Sequence, residues 1–211
     1  MPIKNDREYR SFDFEIRSED EQNYTVRGYA STYLPYTLLK TEDQEWREQI
    51  DPHAFDEADL SDVVFLLDHT GRVYARTKNG SVKLTVDERG LFQETDLSKT
   101  SSSREVFEDI KAGNYQQMSF AFRVGDDSYE EHTEGNIRVI TRTIKKISKC
   151  FDVSAVAFPA NPTTDIGVAT RSAFDGAIEQ LQAERLEREA TLRAQAKAKL
   201  ELKLKLMEER T

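Results

Sequence analysis

The pattern of apolar and polar positions predicts a chain built mostly from short β-strands. Residues 9–17 alternate between polar and apolar side chains, which is typical of a half-buried strand, and residues 24–34 resemble a second one. Residues 63–67 are continuously apolar and predict a strand that is buried on both faces. Residues 82–86 and 91–97 alternate on either side of a turn, which predicts a hairpin.

The second half of this region continues in the same way. Strand-like segments cover residues 115–124, 137–147 and 151–158, and turn residues separate them near 125–127 and 134–136. The pattern therefore predicts about eight or nine short strands in all.

Two short helices are expected among these strands. Asp51 is placed as an N-cap with Pro52 at the first helical position. A second helix is predicted from the capping-box pattern of Ser102 and Glu105 to Gly113, where glycine favours a C-terminal stop. Many strands with few helices favour a mainly β fold with peripheral helices (α+β), and we predict an antiparallel β-barrel rather than alternating βαβ units.

The C-terminal segment has a different composition. Residues 175–211 contain no proline and are rich in strong helix formers, and a helix over residues 172–210 would be about 58 Å long at 1.5 Å per residue. Residues 200–206 alternate with a period of two, so a strand is the alternative there. We therefore predict two domains, a globular domain over residues 1–170 and a long charged helical tail over residues 171–211.

Composition narrows the possible chemistry. The chain has 39 acidic and 30 basic residues and a net charge of −9, all of it in residues 1–174, which argues against nucleic-acid binding. No stretch approaches the roughly 18 consecutive apolar residues of a membrane span, so we expect no membrane partner. A single cysteine excludes an internal disulfide and a cysteine-based zinc module. No HxxxH or HExxH spacing occurs, so no metal site is expected.

The three histidines differ in their positions. His69 follows the most buried predicted strand, where a side chain can emerge from a rigid element into a cleft. His53 lies at the polar start of a predicted helix, and His132 lies in an acidic hairpin where solvation is the simpler interpretation. His69 is therefore the candidate base, although a lone histidine is more often structural.

Ser119, Asp152 and Cys150 are the remaining candidates. Ser119 shares a strand face with the small Ala121 and with Arg123, which leaves room for a substrate carbonyl, although an ordinary surface serine is the common case. Asp152 is a carboxylate in a strongly apolar strand, so it needs a partner, either an imidazole N–H or an arginine. Cys150 is most simply a small core residue.

Several stretches resemble the tailed-phage (HK97-type) prohead serine protease family, and they occur in the family's order. The most specific are Met118-Ser-Phe-Ala-Phe122 and Asp152-Val-Ser followed by Pro159-Ala-Asn-Pro162. The others are Ile50-Asp-Pro-His-Ala-Phe-Asp56, Val64-Phe-Leu-Leu-Asp-His69 and Val82-Lys-Leu-Thr-Val-Asp-Glu-Arg-Gly-Leu91.

The resemblance implies a herpesvirus-protease-like (assemblin-like) β-barrel with helices around it, and a serine endopeptidase. By position it implies Ser119 as nucleophile, His69 as base and Asp152 as the acid that orients the histidine. Such a peptidase needs no cofactor, and Arg123 is a weak candidate for an oxyanion donor.

The resemblance also implies a setting and partners. Its substrates would be the major capsid protein precursor, a scaffold and the protease itself, cleaved inside the assembling procapsid in the host bacterial cytoplasm. We further expect self-association. For the tail we hypothesise docking on scaffold or capsid helices and removal by self-cleavage, and a solvated, partly disordered helix is the alternative. Two alternatives stay open, namely a catalytically silent capsid-assembly scaffold protein with the same fold and a hydrolase of another type, such as an esterase.

Overall fold

The structure is a computed structural model that describes residues 7–12, 17–20 and 24–157, together with the separate positions 186, 190, 191, 193, 194 and 199. Contacts within the chain divide it into two compact units, Met1–Asp165 and Ile166–Thr211. All the strands given below lie in the first unit.

The described part of the first unit contains eleven strands, one α-helix and a short 3-10 helix at Thr77–Asn79. In chain order the strands and the α-helix are β1 (Glu8–Phe12), β2 (Arg17–Asp20), β3 (Thr25–Thr32), β4 (Tyr36–Lys40), β5 (Gln44–Ile50), β6 (Val64–Leu67), β7 (Thr70–Arg76), β8 (Val82–Val86), β9 (Gly90–Asp96), α1 (Ser101–Lys111), β10 (Gln117–Glu134) and β11 (Ile137–Val156).

The strands form two sheets, and β11 organises the larger one. The seven-stranded sheet runs in the order β1-β10-β11-β5-β4, and β6 and β7 are attached to it through β11. Strand β11 pairs antiparallel with β10, parallel with β5 along its first half and parallel with β6 along its second half. The four-stranded sheet has the order β2-β3-β9-β8 and is antiparallel throughout.

A single hydrophobic core contains residues from both sheets and from α1. Its largest fully buried side chains include three from the first sheet, one from the second and one from the helix: Phe65, Phe120, Ile144, Leu91 and Phe107. The rings of Phe120 and Phe122 stack with their centroids 4.4 Å apart, which fixes the core face of β10. Two of the candidate site residues, Ser119 and Asp152, lie on strands that bound this core.

The chain is mostly β, but the expected antiparallel barrel surrounded by helices is wrong. Within the described residues the strands form two open sheets, two of the pairings of β11 are parallel, and α1 is the only α-helix of that unit. Alternation of polar and apolar residues shows which faces of the strands are buried. It does not show whether the first and last strands pair and close a barrel, so the pattern could not distinguish a barrel from two open sheets. The predicted long tail helix is not shown, because residues 171–211 lie outside the described part except for the six separate positions.

Three local predictions also need correction. The turn expected near residues 125–127 is a set of β-bulges, and β10 continues through it to Glu134. The segments 137–147 and 151–158 belong largely to one strand, β11. The helix expected at Asp51 is a series of tight turns, in which the Asp51 carboxylate accepts a hydrogen bond from the His53 N–H at 2.8 Å.

The β8–β9 hairpin agrees with the sequence pattern, and helix α1 does so except at its N-cap, which was expected at Ser102. The helix covers Ser101–Lys111, and its N-cap is Thr100, whose hydroxyl accepts from the Ser103 N–H at 3.1 Å. The serines at positions 101–103 therefore form the first turn of this helix rather than a reactive cluster.

Candidate active site

His69 lies in the tight turn between β6 and β7. Leu67 pairs with Thr70, so the turn consists of Asp68 and His69 alone. Both have positive φ, 46° and 57°, as a two-residue turn that matches the twist of a hairpin requires. Non-glycine residues rarely adopt this conformation, so the turn holds the backbone of His69 in a strained geometry.

Ser119 and Asp152 lie on adjacent strands next to this turn. On β10 and β11, Ser119 is opposite Ser154, and Asp152 is opposite Ala121. Strand β6 pairs with the other side of β11, so the turn that carries His69 begins beside the same segment. The sheet order β10-β11-β6 therefore brings together three residues that are far apart in the sequence.

The side chains form one continuous line of hydrogen bonds. His69 Nε2 lies 2.5 Å from Ser119 Oγ, and His69 Nδ1 lies 2.6 Å from Asp152 Oδ1. Asp152 and Ser119 are buried, while 15% of the His69 side chain is exposed. The buried carboxylate thus has the imidazole partner that it needs, and the other ring nitrogen faces the serine hydroxyl.

Ser154 is a further member of this line that the sequence analysis missed. Its hydroxyl donates to Asp152 Oδ1 at 2.8 Å and lies 3.2 Å from His69 Nδ1. The side chain is completely buried. Residues two apart in a strand share a face, so the spacing from Asp152 to Ser154 was the signal that could have identified it.

Strand β1 also contacts the site, which no sequence signal indicated. Ser119 Oγ donates to the backbone carbonyl of Arg10 at 2.8 Å, and Ser11 Oγ donates to Ser119 Oγ at 3.0 Å. The ring of Tyr9 packs edge-on against His69, with 4.7 Å between centroids. The two contacts of Ser119 join residues that are more than 100 positions apart along the chain.

Arg123 is not placed with the other three candidates. Its guanidinium lies over the Phe151 ring, 5.3 Å from the centroid, and its side chain is exposed. Arg123 follows Ser119 by four residues on β10, which at about 3.3 Å per residue separates them by roughly 13 Å along the strand, so alternation on one face does not make them neighbours.

Cys150 and the other histidines have separate surroundings. Burial, and after it the charge of Asp152, raises the pKa of the Cys150 thiol, which keeps it protonated and unreactive. His53 is exposed and lies 3.1 Å from Asp56, and His132 lies 2.9 Å from Glu134 on the β10–β11 hairpin.

The described residues contain no group of three or more His, Cys, Asp or Glu side chains arranged to hold a metal ion. Among those same residues, no helix is both long enough and apolar enough to cross a membrane.

A serine, a histidine and a buried aspartate in this order form the hydrogen-bonded arrangement found in serine hydrolases on many unrelated folds. A family model for the caudovirus prohead serine proteases matches residues 12–177. Because that match spans most of the chain, the protein belongs to the caudovirus prohead serine protease family. Neither the curated proteins nor the solved structures contain a significant match to it.

Proposed function

We propose that the protein is a serine endopeptidase whose catalytic residues are Ser119, His69 and Asp152. One observation supports this most strongly, the unbroken line from Ser119 Oγ through both nitrogens of His69 to Asp152 Oδ1. Both contacts are short, and all three groups are held by strands or by a two-residue turn. Rigid support of this kind is what a catalytic arrangement needs to keep its geometry.

The proposed reaction is an acyl transfer to Ser119. As Oγ attacks the carbonyl carbon of a peptide bond, its proton passes to His69 Nε2. When the C–N bond breaks, His69 returns that proton to the leaving amine. His69 then takes a proton from water as its oxygen attacks the ester carbon. When the ester C–O bond breaks, His69 gives this proton to Ser119 Oγ, which frees the carboxylic acid product and restores the enzyme. Asp152 accepts the Nδ1–H hydrogen bond throughout and stabilises the positively charged imidazole.

Family membership gives the setting of the proposed reaction. A protease of the prohead acts during phage maturation, so we propose the major capsid protein precursor and a scaffold protein as its substrates. These would be cleaved inside the assembling procapsid, within the host. We also propose cleavage of the enzyme's own chain as a further activity, and self-association in the assembling shell.

The test is cleavage of a co-expressed capsid precursor, followed by mass spectrometry of both proteins. Ser119→Ala should reduce the cleavage rate by at least about 10³-fold, because the nucleophile and the acyl intermediate are lost. Ser128→Ala, on the same strand but opposite Thr143, is the matched control and should cleave normally. Unchanged trimming by Ser119→Ala would mean that Ser119 is not the nucleophile.

The same experiment tests the alternative that the protein is a catalytically silent scaffold. A scaffold protein with this fold would leave the precursor intact in both wild-type protein and the control. The two short hydrogen bonds favour the peptidase, because a silent protein has no need to pair a strained histidine with a buried aspartate and a serine.

A further inference from the structure

Strand β1 covers the candidate nucleophile. It is the edge strand of the larger sheet and pairs antiparallel with β10, with Ser11 directly opposite Ser119 and Tyr9 opposite Ala121. Ser119 is completely buried. A substrate carbonyl therefore cannot reach Ser119 Oγ along this edge while β1 is in place.

The contacts of β1 also compete with the catalytic hydrogen bond. The Ser119 hydroxyl has one proton, and it can go either to His69 Nε2, 2.5 Å away, or to the Arg10 carbonyl oxygen, 2.8 Å away. Ser11 occupies an acceptor position on the same oxygen at 3.0 Å. While the proton is donated to Arg10, His69 cannot receive it, so the contact with Arg10 competes with activation of the serine.

Buried ion pairs fix β1 in this position. The Arg10 guanidinium donates to both carboxylate oxygens of Glu48, on β5, at 2.5 and 2.8 Å. The Glu8 carboxylate accepts two hydrogen bonds from Arg142, on β11, at 2.6 and 2.9 Å. Glu48 is completely buried and Arg142 nearly so, so these pairs are only weakly screened by salt.

The edge of β10 would be an open binding site without β1. An exposed edge presents a row of unpaired backbone N–H and C=O groups, and an extended peptide can satisfy them by adding as a strand. A peptide in the register of β1 would bring one of its carbonyl groups next to Ser119 Oγ, where the Arg10 carbonyl now lies. The family match begins at residue 12, so the β1 residues that contact Ser119 and His69 precede it.

We propose that β1 is an autoinhibitory strand, which occupies the β10 edge where an extended segment of a protein substrate binds. This inference rests on the proposed peptidase function. Release of β1 from its ion pairs opens the edge and frees the Ser119 proton for His69. In this state the nucleophile is covered by β1. A substrate strand and β1 cannot occupy the β10 edge at the same time.

A reversible lock tests the strand directly. In Tyr9→Cys/Ala121→Cys the two residues face each other across the β1–β10 pair, so oxidation ties the strand down. We expect a fluorophosphonate probe to label Ser119 about tenfold or more slowly in the oxidised protein than in the same protein after reduction. Cys150 is buried and takes no part in the exchange.

The matched control is Thr85→Cys/Phe92→Cys, which crosslinks β8 and β9 in the other sheet. Its labelling rate should not depend on reduction.

A second variant tests the strand without any crosslink. Glu8→Gln removes the charge that Arg142 binds and should speed labelling about tenfold, because a hydrogen bond to a charged group is lost. Asp127→Asn also perturbs Arg142 but leaves the contacts of β1 in place, and should not speed labelling.

The outcomes separate the two proposals. Equal labelling of the oxidised and reduced forms, with an adduct on Ser119, overturns the autoinhibitory strand and leaves the serine peptidase standing. No labelling of Ser119 in the reduced lock or in Glu8→Gln overturns the proposed function, and the autoinhibitory strand with it.

Discussion

At the scale of single residues, Ser154 distinguishes this site from a simple line of three side chains. Its hydroxyl contacts both Asp152 and His69, so it holds the carboxylate in the orientation that receives the Nδ1–H. Ser154 does not contact the reacting atoms in this arrangement. It is therefore a positioning residue rather than a catalytic one.

We predict that Ser154→Ala lowers kcat about tenfold or more and leaves KM nearly unchanged, because the hydrogen bond from Ser154 to the charged Asp152 carboxylate is lost. Peptide cleavage kinetics would measure both parameters. Ser154→Thr retains the hydroxyl and should recover most of the activity. A rise in KM at constant kcat would instead indicate a role in substrate binding.

The sequence identified the candidate site residues from their side-chain chemistry, but it did not show which residues contact them. His69 and Asp152 were noticeable because one follows a buried strand and the other is a carboxylate in an apolar strand, and the structure joins them at 2.6 Å. Arg10 and Ser11 carried no such signal, because their contact with Ser119 depends on which strand pairs with β10. Strand pairing over more than 100 residues is not encoded in local periodicity.

At the scale of elements, the conformation of the β6–β7 turn sets the position of His69, the proposed base. Asp68 and His69 both have positive φ, which costs about 1–3 kcal/mol for each residue that lacks a local compensation. Asp68 is well suited to this conformation, because aspartate tolerates positive φ, and its carboxylate accepts a hydrogen bond from the Ala157 N–H at 3.1 Å.

We predict that Asp68→Val destabilises the fold by about 1–3 kcal/mol, because a β-branched side chain is strongly disfavoured at positive φ. It should also reduce activity by displacing His69. Urea unfolding at neutral pH measures the first effect. Asp68→Asn is the control, since asparagine tolerates this conformation and its side-chain oxygen can still accept from Ala157. Equal stability of the two variants would show that the turn relaxes without cost.

Element boundaries were predictable where a turn residue reverses the chain and wrong where the strand only bulges. The hairpin of β8 and β9 and the turn at Gly135 agree with the structure, and Gly135 has a φ of 62°. Gly125 suggested a turn but lies within β10. A glycine permits either a turn or a bulge, and only the partner strand decides between them.

At the scale of the whole molecule, the buried charges couple the N-terminal strand to the larger sheet. Burial alone would raise the pKa of Glu8, but the hydrogen bond from Arg142 and the charge of Arg10 lower it to about 2. Complete burial likewise acts to raise the pKa of Glu48, yet the charge and hydrogen bond of Arg10 and the charge of Arg142 lower it. The groups that face these two carboxylates are Arg10, Arg142, Tyr36 and, beyond Arg142, Asp127 and Tyr129.

We predict that stability decreases as the pH falls from about 4.5 towards 2. Both carboxyl groups have a lower pKa in the folded chain than in the unfolded chain, so the unfolded chain takes up protons first. The stabilisation is complete above the unfolded pKa and is lost as the pH falls through the folded value. Urea unfolding at a series of pH values would measure it.

Glu8→Gln is the informative variant for this pH dependence. It should be less stable than the wild type near pH 6, and it should lose less stability between pH values of about 6 and 3, because one of the titrating groups is gone. An identical loss in both proteins would show that Glu8 does not contribute to the acid sensitivity.

The central claim is that Ser119, activated by His69, is the nucleophile of a peptidase. The most direct measurement is to react the full chain with a fluorophosphonate and to locate the adduct by peptide mass spectrometry. We predict a single adduct on Ser119, formed about 10³-fold or more slowly in His69→Ala. An adduct on another residue, or equal rates in wild-type protein and His69→Ala, would contradict the claim.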